Sequence, residues 1–440
     1  MHRLIVIWLG KMLLWATRLR GGGSALPGLV VEKIAPSFLE NCPDHFDMTV
    51  LVAGTNGKTT TTKMMRSVLE SDGRQVVTNA AGSNMPRGII SAIIARMDWQ
   101  GNLQADLGLF EIDEGFVGHV AKGLEPRAIT VLNLLRDQLD RYGELNRTAQ
   151  LIADALPHAE TAILNADDPL VAELGENAAH SIYFGADEHI RSQVPHDGAL
   201  HQADIHQADA TGDVREMESE ETDTLVRVRS AEAGESGQHL ELDVAGDAWS
   251  VDLQMAGVFN AYNAAAAATL GYTLQVPGET AAKALESVAP AFGRSERIQI
   301  GEKQVTLLLV KNPAGFNQII DTYLSGSSSS PGGSGIPTLI SINDNYADGR
   351  DVSWLWDVNI EKLAGTGEFI TSGIRGYDMA LRLHYAEIAS QTELEPEVAL
   401  ETLLERIPEG GEGYIVPTYT AMLQLRKLLS KYASLPEAGE

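Results

Sequence analysis

Cysteine is all but absent: Cys42 is the only one in 440 residues. A single thiol forms no intramolecular disulfide and no cysteine-based zinc site, so the chemistry rests on oxygen and nitrogen groups in what fits a reducing cytosol. Basic residues are also scarce, 33 against 60 acidic ones, for a formal charge of −27. Such a surface repels a phosphate backbone, which argues against nucleic acid as a partner and requires any nucleotide site to be locally basic. Long apolar runs are missing as well. Leu4–Leu9 and Met12–Trp15 are apolar, but Lys11 divides them and Arg18 and Arg20 follow. That is neither an export signal with its cleavage site nor a membrane span. Two readings of this first stretch stay open: a helix packed on its own protein, or one resting on the inner membrane surface.

Against these absences stands one strong motif. Gly54-Thr55-Asn56-Gly57-Lys58-Thr59-Thr60 follows the apolar run Met48–Val52 and precedes a helical stretch. Glycines in a strand-to-helix turn let backbone N–H groups approach phosphate oxygens, and the helix N-terminus adds partial positive charge. Lys58 can then reach the β- and γ-phosphates of a nucleotide, and the Thr59 hydroxyl can bind Mg²⁺. Val52 stands where the general spacing G-x-x-x-x-G-K-[ST] has its first glycine, so this is a shorter form of the loop.

From Thr49 to Ala186 apolar runs alternate with helical stretches, which predicts a parallel sheet covered on both faces. At the expected carboxyl edge of that sheet lie Glu111-Ile112-Asp113-Glu114 and Asn133–Gly143. Glu111 can hold Mg²⁺ directly or through water; an acidic helix cap is the competing reading. The segment 188–250 is rich in Asp, Glu, His and Gln, and reads as a solvated excursion with weak strand signals at Leu225–Val228 and His239–Val244. His196, His201 and His206 lie within it, at no common metal-ligand spacing. Gly257–Asn263 opens an alanine-rich helix with two amides that could face a purine. A second alternating unit follows Phe292-Gly293-Arg294-Ser295-Glu296-Arg297, interrupted by a Gly/Ser/Pro linker at Ser325–Gly335 that is expected to be disordered. The expected organisation is a lead-in over 1–47, a central nucleotide-binding domain over 48–292 and a C-terminal α/β domain over 293–440.

In this order the segments resemble the Mur ligase family, ATP-dependent enzymes that join an amine to a carboxylate through an acyl phosphate. Gly54–Thr60 is similar to that family's phosphate loop, Glu111 to its magnesium glutamate, and Gly257–Asn263 and Gly293–Arg297 to its Gly-x-x-Asn-x-x-Asn and Gly-Arg-x-Glu-Arg stretches. Asn133–Gly143 is similar to its Asn-x-x-x-Asp-His-Leu-Asp motif, except that Gln138 replaces the usual metal-binding histidine. Lys311–Asn317 and Asn343–Asp357 resemble the MurT branch of the family. The implied fold is a parallel-sheet ATPase domain with a P-loop, followed by a Rossmann-like α/β domain.

The resemblance also implies the chemistry. A MurT-type subunit works as a heterodimer with a GatD-type glutamine amidotransferase subunit and amidates the α-carboxyl of D-glutamate in lipid II, at the inner face of the plasma membrane. ATP and Mg²⁺ are the implied cofactors. Lys58, Thr59, Glu111 and Arg297 would serve the phosphates and metal, Asn260 the base and Asn312 the ribose. An aspartate of the C-terminal domain would complete the partner's Cys–His pair, with Asp348, Asp351 and Asp357 as candidates and Asp351 foremost. The four zinc-ribbon cysteines of several MurT proteins are missing, so zinc is not expected. The rival readings are a stand-alone amino-acid ligase of the folylpolyglutamate kind and a non-catalytic nucleotide-binding scaffold.

Overall fold

The computed structural model describes residues 2–19, 25–42, 46–79, 83–135, 145–194, 224–234, 237–290, 294–325 and 335–435. Arg136–Gly143 with Gln138, the three histidines His196, His201 and His206, Phe292-Gly293 and most of the Ser325–Gly335 linker lie outside these residues. The chain divides into two compact units, one built on residues up to Ala289 and one from Pro290 onward.

Among the described residues the first unit holds a nine-stranded sheet. Its strands are β1 (Met48–Ala53), β2 (Val76–Val77), β3 (Leu107–Glu111), β4 (Ala128–Val131), β5 (Thr161–Asn165), β6 (Ser181–Ala186), β7 (Val226–Ala233), β8 (Gln238–Val244) and β9 (Asp247–Leu253). They lie in the order 2-3-1-4-5-6-7-8-9. All neighbours from β2 to β7 are parallel, and β7, β8 and β9 form an antiparallel meander. The first strands read as unbroken apolar runs because both faces are buried. Along β1, Val50 and Val52 enter one core while Leu51 and Ala53 enter the other. The chain runs outward from β1 to β2, then returns through β3 and crosses to β4, so β1 marks the reversal where ligands bind in such sheets.

The acidic stretch corrects one expectation. Of residues 188–250, those described from Val226 onward are not a solvated excursion but three strands that extend the sheet. In β8, Gln238, Leu240, Leu242 and Val244 are buried while His239, Glu241 and Asp243 face outward. Strict alternation puts every charge on one face and every aliphatic on the other, so high acidity and a stable strand coexist.

Two helices flank the phosphate loop. Lys58–Ser71 starts directly after Gly57, and Val258–Thr273 packs beside it with Ala264–Ala268 wholly buried. The first helix, His2–Leu19, packs on Leu26–Ile34 and Pro86–Arg96, as one of the two readings expects. The approach is close: a β-carbon at Gly10 would sit 2.9 Å from Ile94 Cδ1 and 3.2 Å from Val31 Cγ2. Among the described residues no helix is long and apolar enough to cross a membrane.

Among the described residues the second unit has six strands: β10 (Arg294–Ile300), β11 (Lys303–Leu308), β12 (Thr338–Ser341), β13 (Phe369–Ser372), β14 (Ser390–Thr392) and β15 (Glu412–Pro417). Their order is 10-11-15-12-13-14, parallel except for the β10–β11 hairpin. Ile340 and Val416 fill one face, Leu339 and Ile415 the other.

Candidate active site

The loop between β1 and helix Lys58–Ser71 is shaped by its glycines. Gly54 and Gly57 have φ of 124° and 90°, values that side chains with a β-carbon avoid. A β-carbon at Gly57 would also lie 2.4 Å from Asn263 Oδ1. The segment after β4 and the loop are stitched together by Asn133. Its main-chain carbonyl accepts from the Thr55 N–H (2.9 Å), its Oδ1 accepts from the Asn56 N–H (2.8 Å), and its Nδ2 donates to the Asn56 carbonyl (3.1 Å). The Thr55 hydroxyl accepts from the Leu135 N–H at 3.0 Å. Thus Asn133–Leu135, the described part of the Asn133–Gly143 motif, fixes the first half of the loop.

Lys58 is buried at the first position of its helix. Its ammonium donates to the main-chain carbonyls of Gly54 and Thr55 and, at 3.0 Å, to Glu114 Oε1. Glu114 is itself buried, so this is a desolvated ion pair beside the loop. Glu111, at the end of β3, pairs in register with Val52, two residues before Gly54. Its side chain is 6% exposed, and its Oε2 is buried without a hydrogen-bond partner. A carboxylate oxygen in that condition costs free energy unless a cation or donor reaches it. Asn79, just beyond β2, holds the Glu111 backbone on both sides: its Oδ1 accepts from the Glu111 N–H (3.0 Å) and its Nδ2 donates to the Glu111 carbonyl (2.8 Å).

Among the described residues no three His, Cys, Asp or Glu side chains converge as a metal cage. That is compatible with Mg²⁺, which keeps several waters and takes one or two protein oxygens together with phosphate oxygens. Glu111, with its unsatisfied oxygen, and the Thr59 hydroxyl are donors of the hard-oxygen type such an ion takes. Thr60 is buried behind the loop. Asn260 is half-buried at the start of helix Val258–Thr273; its Nδ2 donates to the Ala256 carbonyl (2.7 Å) and its Oδ1 accepts from Asn263 (3.3 Å).

Sequence reasoning missed Glu114 as Lys58's partner, and Asn79 altogether. Asn79 was within reach: a polar residue at the carboxyl end of a buried strand of a parallel sheet stands on the ligand edge.

The second unit separates the three candidate aspartates. Asp348 is buried and fully engaged: its Oδ1 accepts from the Thr420 N–H (2.7 Å), its Oδ2 from the Thr420 hydroxyl (2.5 Å) and the Asn345 N–H (3.1 Å). It therefore caps helix Tyr419–Leu429 from outside. Asp351 is exposed and makes a short turn, its Oδ1 accepting from the Ser353 N–H at 2.8 Å. The Ser353 hydroxyl and N–H hold its carboxyl below the usual carboxylate range. Asp357 is exposed at the end of the 3₁₀ turn Ser353–Asp357. Asn312 is buried as the cap of helix Pro313–Ile319, its Oδ1 accepting from the Gly315 N–H at 2.8 Å. Arg297 is exposed on β10, opposite Thr306 of β11.

The same unit exposes large apolar side chains on helix Gly376–Tyr385 and around it: Ile374, Tyr377, Leu381 and Tyr385, with Trp356. The Trp356 and Tyr385 rings meet edge to face at 5.3 Å. Cys42, in contrast, is buried, its thiol donating to the Phe38 carbonyl at 3.2 Å.

Comparison with known proteins agrees with this geometry. The Mur ligase middle domain family matches residues 52–271, and the MurT ligase C-terminal family matches 309–422. The MurT subunit of lipid II isoglutaminyl synthase (glutamine-hydrolyzing) from Staphylococcus aureus is 30% identical over 98% of this chain and 98% of its own length. The Streptococcus pneumoniae subunit of the same name is 30% identical over 93% of each. Among solved structures, MurF from Acinetobacter baumannii has a TM-score of 0.67 at 16% identity, covering 92% of this chain and 80% of that one. Folylpolyglutamate synthase from Mycobacterium tuberculosis, complexed with ADP, has a TM-score of 0.63 at 15% identity, covering 90% and 93%. At these identities the structures speak for the fold alone.

Proposed function

Because the chain belongs to the MurT family, the Mur-ligase-type subunits of lipid II isoglutaminyl synthase, we propose that it amidates the D-glutamate α-carboxyl of lipid II at the expense of ATP, using ammonia released by a second subunit. The observation that carries this reading is the match along nearly the whole chain to subunits of that name, with the phosphate loop kept intact. The folylpolyglutamate synthase shares the fold, whereas what favours the MurT reading over a stand-alone ligase is this chain's match to the MurT ligase C-terminal family over 309–422.

A carboxylate is a poor electrophile because its leaving group is an oxide. In the first step a carboxylate oxygen bonds to the γ-phosphorus of ATP and the bond from that phosphorus to the β-phosphate oxygen breaks, leaving ADP. Ammonia then attacks the carbonyl carbon of the acyl phosphate, loses a proton, and phosphate departs. The chain contributes position and charge: with the Thr55 and Asn56 N–H groups held by Asn133, those of Gly57–Thr60 at the helix N-terminus face the phosphates, and Lys58 exchanges its loop carbonyls for phosphate oxygens. Glu111 and Thr59 would hold Mg²⁺, which when bound neutralises charge on the phosphate oxygens. Asn260 and Asn312 are the proposed contacts to base and ribose.

The glutaminase half is assigned to a partner of the GatD type. A thiol nucleophile must be exposed and easily ionised, whereas Cys42, the only cysteine, is buried and bonded to a backbone carbonyl. Asp351, exposed and readily charged, is the proposed acid lent to the partner's histidine. The apolar cluster of Trp356, Ile374, Tyr377, Leu381 and Tyr385 is the proposed seat of that partner, since it follows Asp351 in the same unit. The substrate's lipid tail puts the reaction at a membrane surface on the cytoplasmic side.

The test uses the purified chain with ATP, Mg²⁺ and lipid II, the product being read by mass. Ammonium salts should support amidation and glutamine should not, until a glutaminase subunit is added. Glutamine-dependent amidation by the single chain would refute the division of labour, and failure with ammonium would refute the ligase assignment.

A further inference from the structure

The outward face of the first helix is apolar where a water-facing surface would be polar. His2–Leu19 turns Val6, Ile7 and Gly10 onto the body of the first unit. Its other face presents Ile5, Trp8, Met12 and Trp15, exposed by 56%, 48%, 62% and 68%. Steps of three and four residues place these side chains in one stripe. Trp99, 60% exposed, extends it: its carbonyl accepts from the Trp8 indole N–H at 2.7 Å, and the Lys11 ammonium lies 5.5 Å from its ring centre. Three of the chain's six tryptophans therefore share one surface. The inner face is already satisfied by packing, so the stripe is not a core face waiting for this unit to fold.

Charge selects the occupant. In a chain of net −27, the first acidic residue is Glu32, and before it stand Arg3, Lys11, Arg18 and Arg20. An acid-free, basic segment with an aromatic stripe matches a bilayer bearing anionic headgroups, where tryptophan sits at the headgroup level and cations meet the surface potential. The helix has 18 residues and cannot span, so it would lie in the interface plane.

We propose that the stripe Ile5–Trp8–Met12–Trp15, with Trp99, docks the protein on the surface of an anionic phospholipid bilayer. The proposal deepens the reading of a lipid-borne substrate and takes its purpose from that reading, but the docking itself stands on the helix.

The experiment floats the full chain with vesicles free of substrate, made of phosphatidylcholine alone or mixed with phosphatidylglycerol, at low and high salt. The wild type should float with the anionic vesicles, several-fold less with the neutral ones, and be partly released by salt. Met12→Ser with Trp15→Ser should weaken flotation by about tenfold or more, the scale of losing two apolar side chains from a buried surface, while leaving ammonium-driven amidation of detergent-dispersed lipid II unchanged. No flotation of the wild type, or equal flotation of the variant, overturns the proposal. So does a self-association in solution that the double substitution abolishes, which would assign the stripe to a second copy of the chain. The detergent assay reads the proposed activity without vesicles, and the vesicles carry no substrate, so either reading can fail without the other.

Discussion

Lys58 reads differently as a residue in a motif and as a residue in a structure. The motif gives it phosphates; the structure adds Glu114, a buried carboxylate at 3.0 Å. Lys58→Ala should abolish ATP-dependent amidation, and it also strands Glu114 without its cation. An unsatisfied buried group costs about 1–3 kcal/mol, so the single variant should unfold at lower urea. Adding Glu114→Gln to Lys58→Ala should recover most of that stability and none of the activity. If Lys58→Ala keeps its turnover, the phosphate-loop assignment fails; if the pair shows no recovery, the ion pair is not what stabilises the site. The aspartates divide along the same line. Asp348→Asn replaces an acceptor held by Thr420 and Asn345, so it should lower stability by about 1 kcal/mol, the scale of a lost helix cap, and depress activity with both nitrogen sources. Asp351→Asn touches only a surface turn. It should spare ammonium-driven amidation and remove most glutamine-driven amidation in the presence of the partner. Equal loss with both sources would make Asp351 a structural residue.

At the scale of elements, the phosphate loop depends on how closely two helices approach. Ala264–Ala268 are fully buried in helix Val258–Thr273, which lies against helix Lys58–Ser71, and a β-carbon on Gly271 would stand 2.9 Å from Val68 Cγ1. Small residues are needed there because the gap is filled. Ala267→Leu, on the stripe between Asn263 and Gly271 that meets Gly57 and Val68, should cost about 1–3 kcal/mol through overpacking and raise the KM for ATP, because the displaced helix carries Lys58 and Thr59. A urea midpoint and KM both equal to wild type would show that the packing tolerates the added volume. The same elements explain what was legible. The strands β1, β3, β4, β5 and β6 announce themselves as apolar runs because they are buried on both faces. Three strands gave no such signal: β9, inside the acidic stretch; β10, where Arg297 and Gln299 flank Ile298; and β14, Ser390-Gln391-Thr392, with no apolar residue at all. Edge strands bury less, so they carry a weaker pattern. The loop itself was legible because glycine, lysine and threonine act within seven neighbouring positions. The pairings of Glu114 with Lys58 and of Asn79 with Glu111 were not, since the partners stand 56 and 32 residues apart along the chain.

For the whole molecule, charge and exposed apolar surface act in opposite directions. A net charge of −27 favours solubility and opposes indiscriminate association. Large apolar side chains left in water on such a chain mark places where a specific partner excludes that water. The cluster on helix Gly376–Tyr385 is of this kind, with Tyr377 exposed by 67%, Tyr385 by 69% and Trp356 by 50%. Tyr and Trp bury large areas with few rotatable bonds, which is why they anchor interfaces. Tyr385→Ser with Leu381→Ser removes two exposed anchors without opening the core. If the glutaminase subunit seats here, the variant should lose at least about 2 kcal/mol of affinity for it, the threshold of an interface hot spot. Glutamine-driven amidation should fall at working concentrations and return when the partner is added in excess, while ammonium-driven amidation stays at the wild-type rate throughout. Titration calorimetry against the glutaminase subunit, alongside the two-source assay, decides it. Unchanged affinity would remove the partner from this surface, and a loss of ammonium-driven activity would mean that the substitutions had disturbed the ligase fold instead.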